Sequence, residues 1–293
     1  VDLNDLCTFF HNPARFLLKG RLGMYLEQRG SILEETESFE ITGLEKYLLE
    51  KILVERKFAG CDPRDFLPAA RASGLLPHGA VGECVYENLS RGVETFVARA
   101  EPYMRGESRE PLEVNLAVSG FTLMGRLEAV SAEQLLHYRY ARAKSSDHLR
   151  VWLYHLALNC LEAPHYPRTT RFAALHPRDA RPWLWEYAPV KKSRDILGEL
   201  LELYWRGLIR PLHFFPESSA QYATQYLAKG KSPEEALVGA SSTWRGSDYT
   251  FAEREDPYYQ LCFGQTDPLD AKFQELAAAI FRPLLSHRKD RAM

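Results

Sequence analysis

Gly125 to Tyr154, reading GRLEAVSAEQLLHYRYARAKSSDHLRVWLY, gathers the side chains whose types and spacing invite chemistry. Glu128 is a hard oxygen donor of the kind that holds Mg²⁺, and a small dication lowers the pKa of bound water and neutralises charge building on a phosphate. His137, Arg139 and Arg150 follow it. A lone carboxylate cannot assemble a two-carboxylate Mg²⁺ site, and an arginine, always protonated, neither serves as a base nor tolerates a bare dication beside it. Glu128 therefore reads first as a solvated or hydrogen-bonded strand residue, and His137 as a phosphate or water contact rather than a ligand. The one other route to a metal runs through Glu83 and Glu87, at i and i+4 on one helix face, together with Glu128.

The elements that must position these groups show in the hydropathy pattern. Leu112, Val114, Leu116 and Val118 alternate with polar or small residues, and after Gly120 the alternation resumes with Phe121, Leu123, Gly125 and Leu127, closing at Val130. Residues 112–130 thus read as a hairpin, followed by a third strand over Leu135–Tyr140. Ser145 or Ser146 caps a helix on which Leu149, Trp152, Leu153, Leu156, Ala157 and Cys160 recur. The order is strand, strand, strand, helix.

That frame resembles the core of PD-(D/E)XK nucleases, whose pattern runs G-R-I-D-R-V, then D-Y-K-T-G, then a helix opening L-Q-x-x-L-Y. Glu128 stands at the first carboxylate position, His137 at the second, Arg139 at the lysine and Arg150 at the glutamine. Four further segments occur in order around it: Leu3–Gly23, Phe39–Leu53, Gly74–Leu89 and Pro211–Tyr222. Together they resemble the C-terminal domain of the exodeoxyribonuclease V gamma subunit, the RecC family. The resemblance implies a nuclease-like fold that has lost catalysis, with no catalytic residue and no metal. It implies a place beside RecB and RecD subunits in a bacterial, cytoplasmic helicase–nuclease of double-strand break repair and homologous recombination, guiding single-stranded and forked DNA. Two other readings stay open: an active Mg²⁺-dependent nuclease with its carboxylates moved to Glu83, Glu87 and Glu128, and a scaffold that binds only protein.

The expected fold is α/β, a mixed central sheet flanked by helices, with a restriction-endonuclease-like core and helical additions. One elaborated domain over 1–293 is expected, divided into a mainly helical 1–110, a nuclease-like core 111–210 and a helical 211–293. With 45% hydrophobic and 26% charged residues the chain can bury a sizeable core. It begins at Val1 rather than Met, as a segment of a longer protein would, and shows neither a signal peptide nor an apolar run long enough to span a membrane. The five cysteines never form a C-x-x-C pair, so no disulfide framework or zinc site is expected; Cys84 and Cys160 read as buried thiols on apolar faces. No G-x-x-x-x-G-K-[ST] loop occurs, so this segment binds no ATP.

The net charge of −2 is unevenly spread. From His137 to Arg210 there are 13 Lys and Arg against 7 Asp and Glu, a local +6 that leaves −8 elsewhere. Aromatics interleave with these cations, as in single-strand grooves where cations follow phosphates and rings stack on bases. The DNA-binding candidates are Arg139, Arg142, Lys144, Arg150, Arg168 and Arg171, with the segment 139–144 read as an Arg-rich loop; Trp183 and Trp185 are weaker stacking candidates because large rings are usually buried. Glu34, Glu35, Glu37, Glu40 and Glu45 make an acidic stretch before a helix over Gly43–Lys57, whose apolar stripe is Leu44, Tyr47, Leu48, Ile52 and Leu53. Elsewhere the pattern predicts a helix pair broken near Asn12-Pro13, a long helix over Gly79–Met104, strands at Thr169–Ala174 and Trp183–Tyr187, and a helix at Lys191–Leu208. It then predicts a short strand at Pro211–Phe215, helices at Glu217–Lys229, 233–240 and Leu269–Leu285, and a basic tail from His287 to Arg291.

Overall fold

The computed structural model describes residues 1–26, 41, 43–104, 109–162, 165–246 and 252–293. Helix α1 (Leu3–His11) starts where the Asp2 carboxylate accepts from the backbone N–H of Asn4 at 2.7 Å. It stops at Asn12, whose extended backbone (φ −160°) precedes Pro13, a residue that restricts its predecessor to extended geometry. Asn12 then caps the next short helix, α2 (Pro13–Arg15), through the N–H of Arg15, and the chain continues as a π-helical turn over Phe16–Arg21. The expected break at Asn12-Pro13 is present.

Helices α3 (Gly43–Phe58), α4 (Leu67–Ala72) and α5 (Gly79–Met104) complete the helical N-terminal part. The hairpin follows as β1 (Leu112–Val118) and β2 (Phe121–Leu127), antiparallel from Leu112↔Leu127 to Val118↔Phe121. Its turn places Ser119 (φ 49°) and Gly120 (φ 79°) in the left-handed region that a two-residue hairpin needs. Next come β3 (Leu135–Arg142), α6 (Ser145–Cys160), β4 (Thr170–Leu175) and β5 (Pro182–Tyr187). The chain ends with α7 (Ser193–Gly207), α8 (Pro216–Ala223), α9 (Pro233–Arg245), α10 (Pro257–Phe263), α11 (Ala271–His287) and β6 (Arg288–Ala292).

The sheet is mixed and four-stranded in the order β3-β4-β5-β6, with β3 parallel to β4 and the other pairs antiparallel. Alternation sends successive side chains to opposite faces. Phe172, Ala174, Trp185 and Tyr187 accordingly enter the core that contains α6, while Ala173 and Leu184 enter a second core with α3 and α5. The sheet is therefore covered on both faces by helices. A third cluster joins α8–α11 to Ala14 and Leu18.

Helix α6 is the axis of the molecule, since twelve of its sixteen residues are buried, the signature of a helix surrounded on all sides. Two of its buried polar side chains, His155 and Asn159, tie it to the neighbouring connections. His155 Nε2 faces the Ala188 carbonyl at 3.0 Å, and a carbonyl can only accept, so Nε2 carries the hydrogen and Nδ1 accepts from Thr170 Oγ1 at 2.8 Å. Asn159 accepts from the Val190 N–H and donates to the Arg168 carbonyl, both at 3.1 Å. Burial holds the His155 imidazole down at about 4, in the neutral form this tautomer requires.

Six expectations need correction. The hairpin is not part of the central sheet: β1–β2 forms its own ribbon, and contact with β3 is limited to an isolated bridge, Val130↔Leu135. The reason is local: Ser131 Oγ accepts from the N–H of Gln134, turning the chain sharply, and the outer edge of β2 is taken by Val1, whose carbonyl accepts from the Met124 N–H at 2.9 Å. Gly125 permits this closeness, because a Cβ there would lie 2.8 Å from the Leu3 Cβ. Pro211–Phe215 is not a strand but an irregular connection whose Phe214 and Phe215 rings fill the core, so its apolar content reflects burial rather than pairing. The basic tail from His287 is instead the last turn of α11 followed by β6, registered Arg288↔Tyr187 to Ala292↔Trp183. The 139–144 segment is strand as far as Arg142, not loop. Lastly, α3 buries Leu49, Leu53 and Val54, leaving Leu44, Tyr47 and Leu48 of the expected stripe exposed, and Cys84 is exposed rather than buried. Of the acidic stretch, Glu34, Glu35, Glu37 and Glu40 lie outside the described residues.

Candidate functional site

The turn from β3 into α6 is fixed by carboxylates. Asp147, in the first turn of α6, accepts from the Lys144 backbone N–H at 2.8 Å and pairs with the Arg139 guanidinium. Glu217, at the start of α8, accepts from Ser145 N at 2.9 Å and Ser145 Oγ at 2.7 Å. Negative groups at a helix N-terminus are stabilised by its unpaired N–H donors and dipole. Glu253 repeats the device one helix further, accepting from Glu217 N at 3.0 Å and from Ser218 N and Oγ at 2.7 and 2.6 Å. Burial pushes Glu253 up to about 7 against those bonds.

On one side of this turn lies a pocket of about 500 Å³ that brings together three of the four residues singled out in the sequence, Glu128, Arg139 and Arg150. Helix α3 supplies its other wall with Tyr47, Lys51 and Glu55. The charges in it are largely matched. Arg139 pairs with Asp147 and lies over the Tyr47 ring at 5.8 Å, Lys51 faces Glu55 at 3.9 Å, and Glu128 lies 3.7 Å from Arg126. Arg150 makes no ion pair among the described residues and lies over Tyr154 at 5.8 Å. The Glu128 side chain is 75% exposed. His137 stands beside these residues on β3, its Nε2 buried without a hydrogen-bond partner; burial first, then Arg150 and His155, push it down to about 4.

These residues do not fit a divalent cation. The two carboxylates lining the pocket face Lys51, Arg139 and Arg150, so a dication would meet more positive than negative groups. Glu83, Glu87 and Glu128 are not brought together: Glu83 pairs with Arg71 of α4, and no group of three or more potential metal ligands forms among the described residues.

The remaining candidates are divided by their surroundings. Arg168 donates to the Asn159 carbonyl at 2.8 Å, and Arg171 pairs with Glu186 at 2.9 Å and donates to the Tyr103 carbonyl, so both brace the fold. Arg142 and Lys144 are exposed and make no ion pair among the described residues. Trp185 is buried, stacked on Phe172 at a centroid distance of 5.5 Å, while Tyr138 is 39% exposed beside Phe58.

Sequence reasoning missed a second cavity of about 520 Å³, on the other side of the same turn. Lys144, Arg178 and Arg288 reach it from three separate strand ends, and its far wall comes from α8, α9 and α11. No local signal joins residues so far apart in the chain. The role of Asp147 was more accessible, since an Asp three residues after the helix-start position is a familiar capping arrangement.

No helix among the described residues is long and apolar enough to cross a membrane. The sequence model of the RecC C-terminal domain matches residues 1–227. The chain is 25% identical over 277 residues to the RecBCD enzyme subunit RecC of Escherichia coli (strain K12), covering 92% of this chain and 24% of that protein. It is 22% identical over 272 residues to the RecBCD enzyme subunit RecC of Buchnera aphidicola subsp. Acyrthosiphon pisum, covering 88% and 24%. The Haemophilus influenzae subunit is 27% identical over 168 residues, covering 53% and 14%. The chain thus spans about a quarter or less of the length of these relatives. A match that runs from the first residue through the ribbon, α6 and every residue lining the Glu128–Arg139–Arg150 pocket makes this chain a member of the RecC C-terminal domain family.

Proposed function

We propose that this chain is a catalytically silent, PD-(D/E)XK-like domain that contacts single-stranded and forked DNA and docks onto the RecB and RecD subunits of a bacterial, cytoplasmic RecBCD-type helicase–nuclease. The observation that carries this reading is the Arg139–Asp147 pair, a clamped guanidinium at the residue that the sequence resemblance aligns with the nuclease lysine. A pocket whose two carboxylates face three cations is a poor match for Mg²⁺, which supports this reading. Residues 1–293 act as one elaborated domain in this proposal: a helical 1–110, a nuclease-like core over 111–210 and a helical 211–293. The largest core cluster supports it, since it takes residues from Leu3 to Leu284.

DNA contact rests on the cations around the β3–α6 turn that make no ion pair among the described residues, with Arg142 and Lys144 as the residues that meet phosphates; Arg139, Arg150, Arg168 and Arg171 contribute through the positions they hold. Docking draws support from Leu44 and Leu48, exposed on α3 at 69% and 43%, because adjoining exposed apolar side chains mark protein contacts. The test is incubation of the purified chain with labelled single-stranded and forked DNA, in Mg²⁺ or in EDTA, following cleavage on a gel and binding by anisotropy. Binding in EDTA with intact DNA in Mg²⁺ is the expected result. Cleavage lost both in EDTA and in Glu128→Gln would overturn it, and absence of DNA binding at low salt would leave a protein-only scaffold.

A further inference from the structure

Two pockets flank the β3–α6 turn, and they differ in what their cations already hold. In the Glu128 pocket, Arg139 is committed to Asp147 and Lys51 faces Glu55, which leaves Arg150 alone without an ion pair among the described residues. In the second cavity Lys144, Arg178 and Arg288 make no ion pair among the described residues. Glu217 and Asp290 also line it, but Glu217 is turned onto the N–H groups and hydroxyl at the start of α6. The helix terminus is thereby filled, and any attraction for an outside anion comes from the three cations.

Their placement gives the cavity a direction. Arg288 opens β6 opposite Tyr187, whereas Arg178 sits in the turn beyond the Leu175↔Pro182 pair. Five residue steps run from Pro182 to Tyr187, roughly 17 Å at about 3.4 Å per residue. A strand stacked as in a duplex carries a phosphate about every 3.4 Å of axis, and even a more extended single strand sets more than one phosphate along this length. Gln221, Thr224 and Thr243 face the cations across the cleft and offer uncharged donors of the kind that contact phosphate and sugar oxygens.

We propose that the cleft between the start of α6, the β4–β5 turn and β6 holds the sugar–phosphate backbone of a single nucleic-acid strand, with Lys144, Arg178 and Arg288 on its phosphates. This rests on the DNA-contact reading above and sharpens it: the strand runs through the cleft and not through the degenerate nuclease-like pocket. The volume, about 520 Å³, lies in the range of ligand clefts.

The test compares the 293-residue chain with two sets of charge reversals, Lys144→Glu/Arg178→Glu/Arg288→Glu for the cleft and Lys51→Glu/Arg150→Glu for the pocket. A labelled single-stranded oligonucleotide is titrated by anisotropy across a salt series. The cleft variant is expected to lose at least about tenfold in affinity at low salt and to show a log–log salt slope shallower by about 2, as three single-strand phosphate contacts predict. The pocket variant is expected to change less than about threefold. The reverse pattern overturns the cleft while leaving DNA contact standing; a parent chain that fails to bind at low salt removes the underlying reading as well. Should the triple variant not fold, Arg178→Glu alone and photo-crosslinking of the parent to a thio-substituted oligonucleotide decide the matter. Crosslinks are expected on residues 143–148, 176–181 and 288–290, and crosslinks confined to residues 47–55 and 138–140 overturn the proposal.

Discussion

The two cavities beside the β3–α6 turn are nearly equal in size, about 500 and 520 Å³, and each is lined by three cations and two carboxylates. They differ in pairing. The Glu128 pocket matches most of its charges internally, and the cleft on the other side leaves its cations without partners among the described residues. Net charge therefore says little about a site until the partners of each group are known. A guanidinium held by a carboxylate has exchanged part of its hydration for that partner, and an outside phosphate must compete for it.

The largest expected effect lies in the core beneath both cavities. His155 is held neutral at about 4 when folded, while its ordinary value is 6.5. Above pH 6.5 both states are neutral; below it the unfolded chain binds the proton first, so stability falls as pH drops from 6.5 toward 4. The loss is on the order of 3 kcal/mol, at about 1.4 kcal/mol per pKa unit. Urea unfolding of the parent and of His155→Asn between pH 7 and 4 checks this, with a flatter profile expected in the variant.

Next in size is Asp147→Ala, which removes both the partner of Arg139 and the cap on α6. It should cost about 2–3 kcal/mol, from an uncompensated, partly buried cation and a lost cap. By freeing Arg139 it should also make the pocket behave like the cleft, raising single-strand affinity a few-fold despite the lost stability. Unchanged affinity in the folded variant would break the comparison. Glu217→Ala should cost about 1–2 kcal/mol through the start of α6 and, by removing a carboxylate from the cleft, strengthen single-strand binding at low salt. The smallest effect belongs to Glu128→Gln: stability within about 0.5 kcal/mol of the parent, as for exposed substitutions, and DNA left intact in Mg²⁺ in both.

Much of the frame was legible without coordinates. The alternation over 112–127 placed both ribbon strands, the run from Leu149 to Cys160 marked α6, and the strands expected at Thr169–Ala174 and Trp183–Tyr187 are β4 and β5 to within a residue. These signals are local, because side-chain period follows directly from backbone geometry. The stripe on α3 misled because Leu44 and Leu48 lie at helical spacing yet face outward, where periodicity records a face without naming its partner. β6 was unreadable for a related reason: Arg288–Ala292 is as polar as a solvent-facing edge strand, and its assignment rests on a ladder to residues about a hundred positions earlier.

The sequence by itself determined that Glu128, His137, Arg139 and Arg150 comprise one carboxylate, one imidazole and two permanently charged guanidinia, a set unsuited to Mg²⁺, and that cations outnumber carboxylates between His137 and Arg210. Only the tertiary structure decided which of those cations are already partnered. That Asp147 takes Arg139, that Glu186 takes Arg171, and that Lys144, Arg178 and Arg288 converge unpaired on one cleft are outcomes of sheet order and helix packing. Residue type fixes charge, but electrostatic work depends on distance and desolvation, and both are properties of the folded chain.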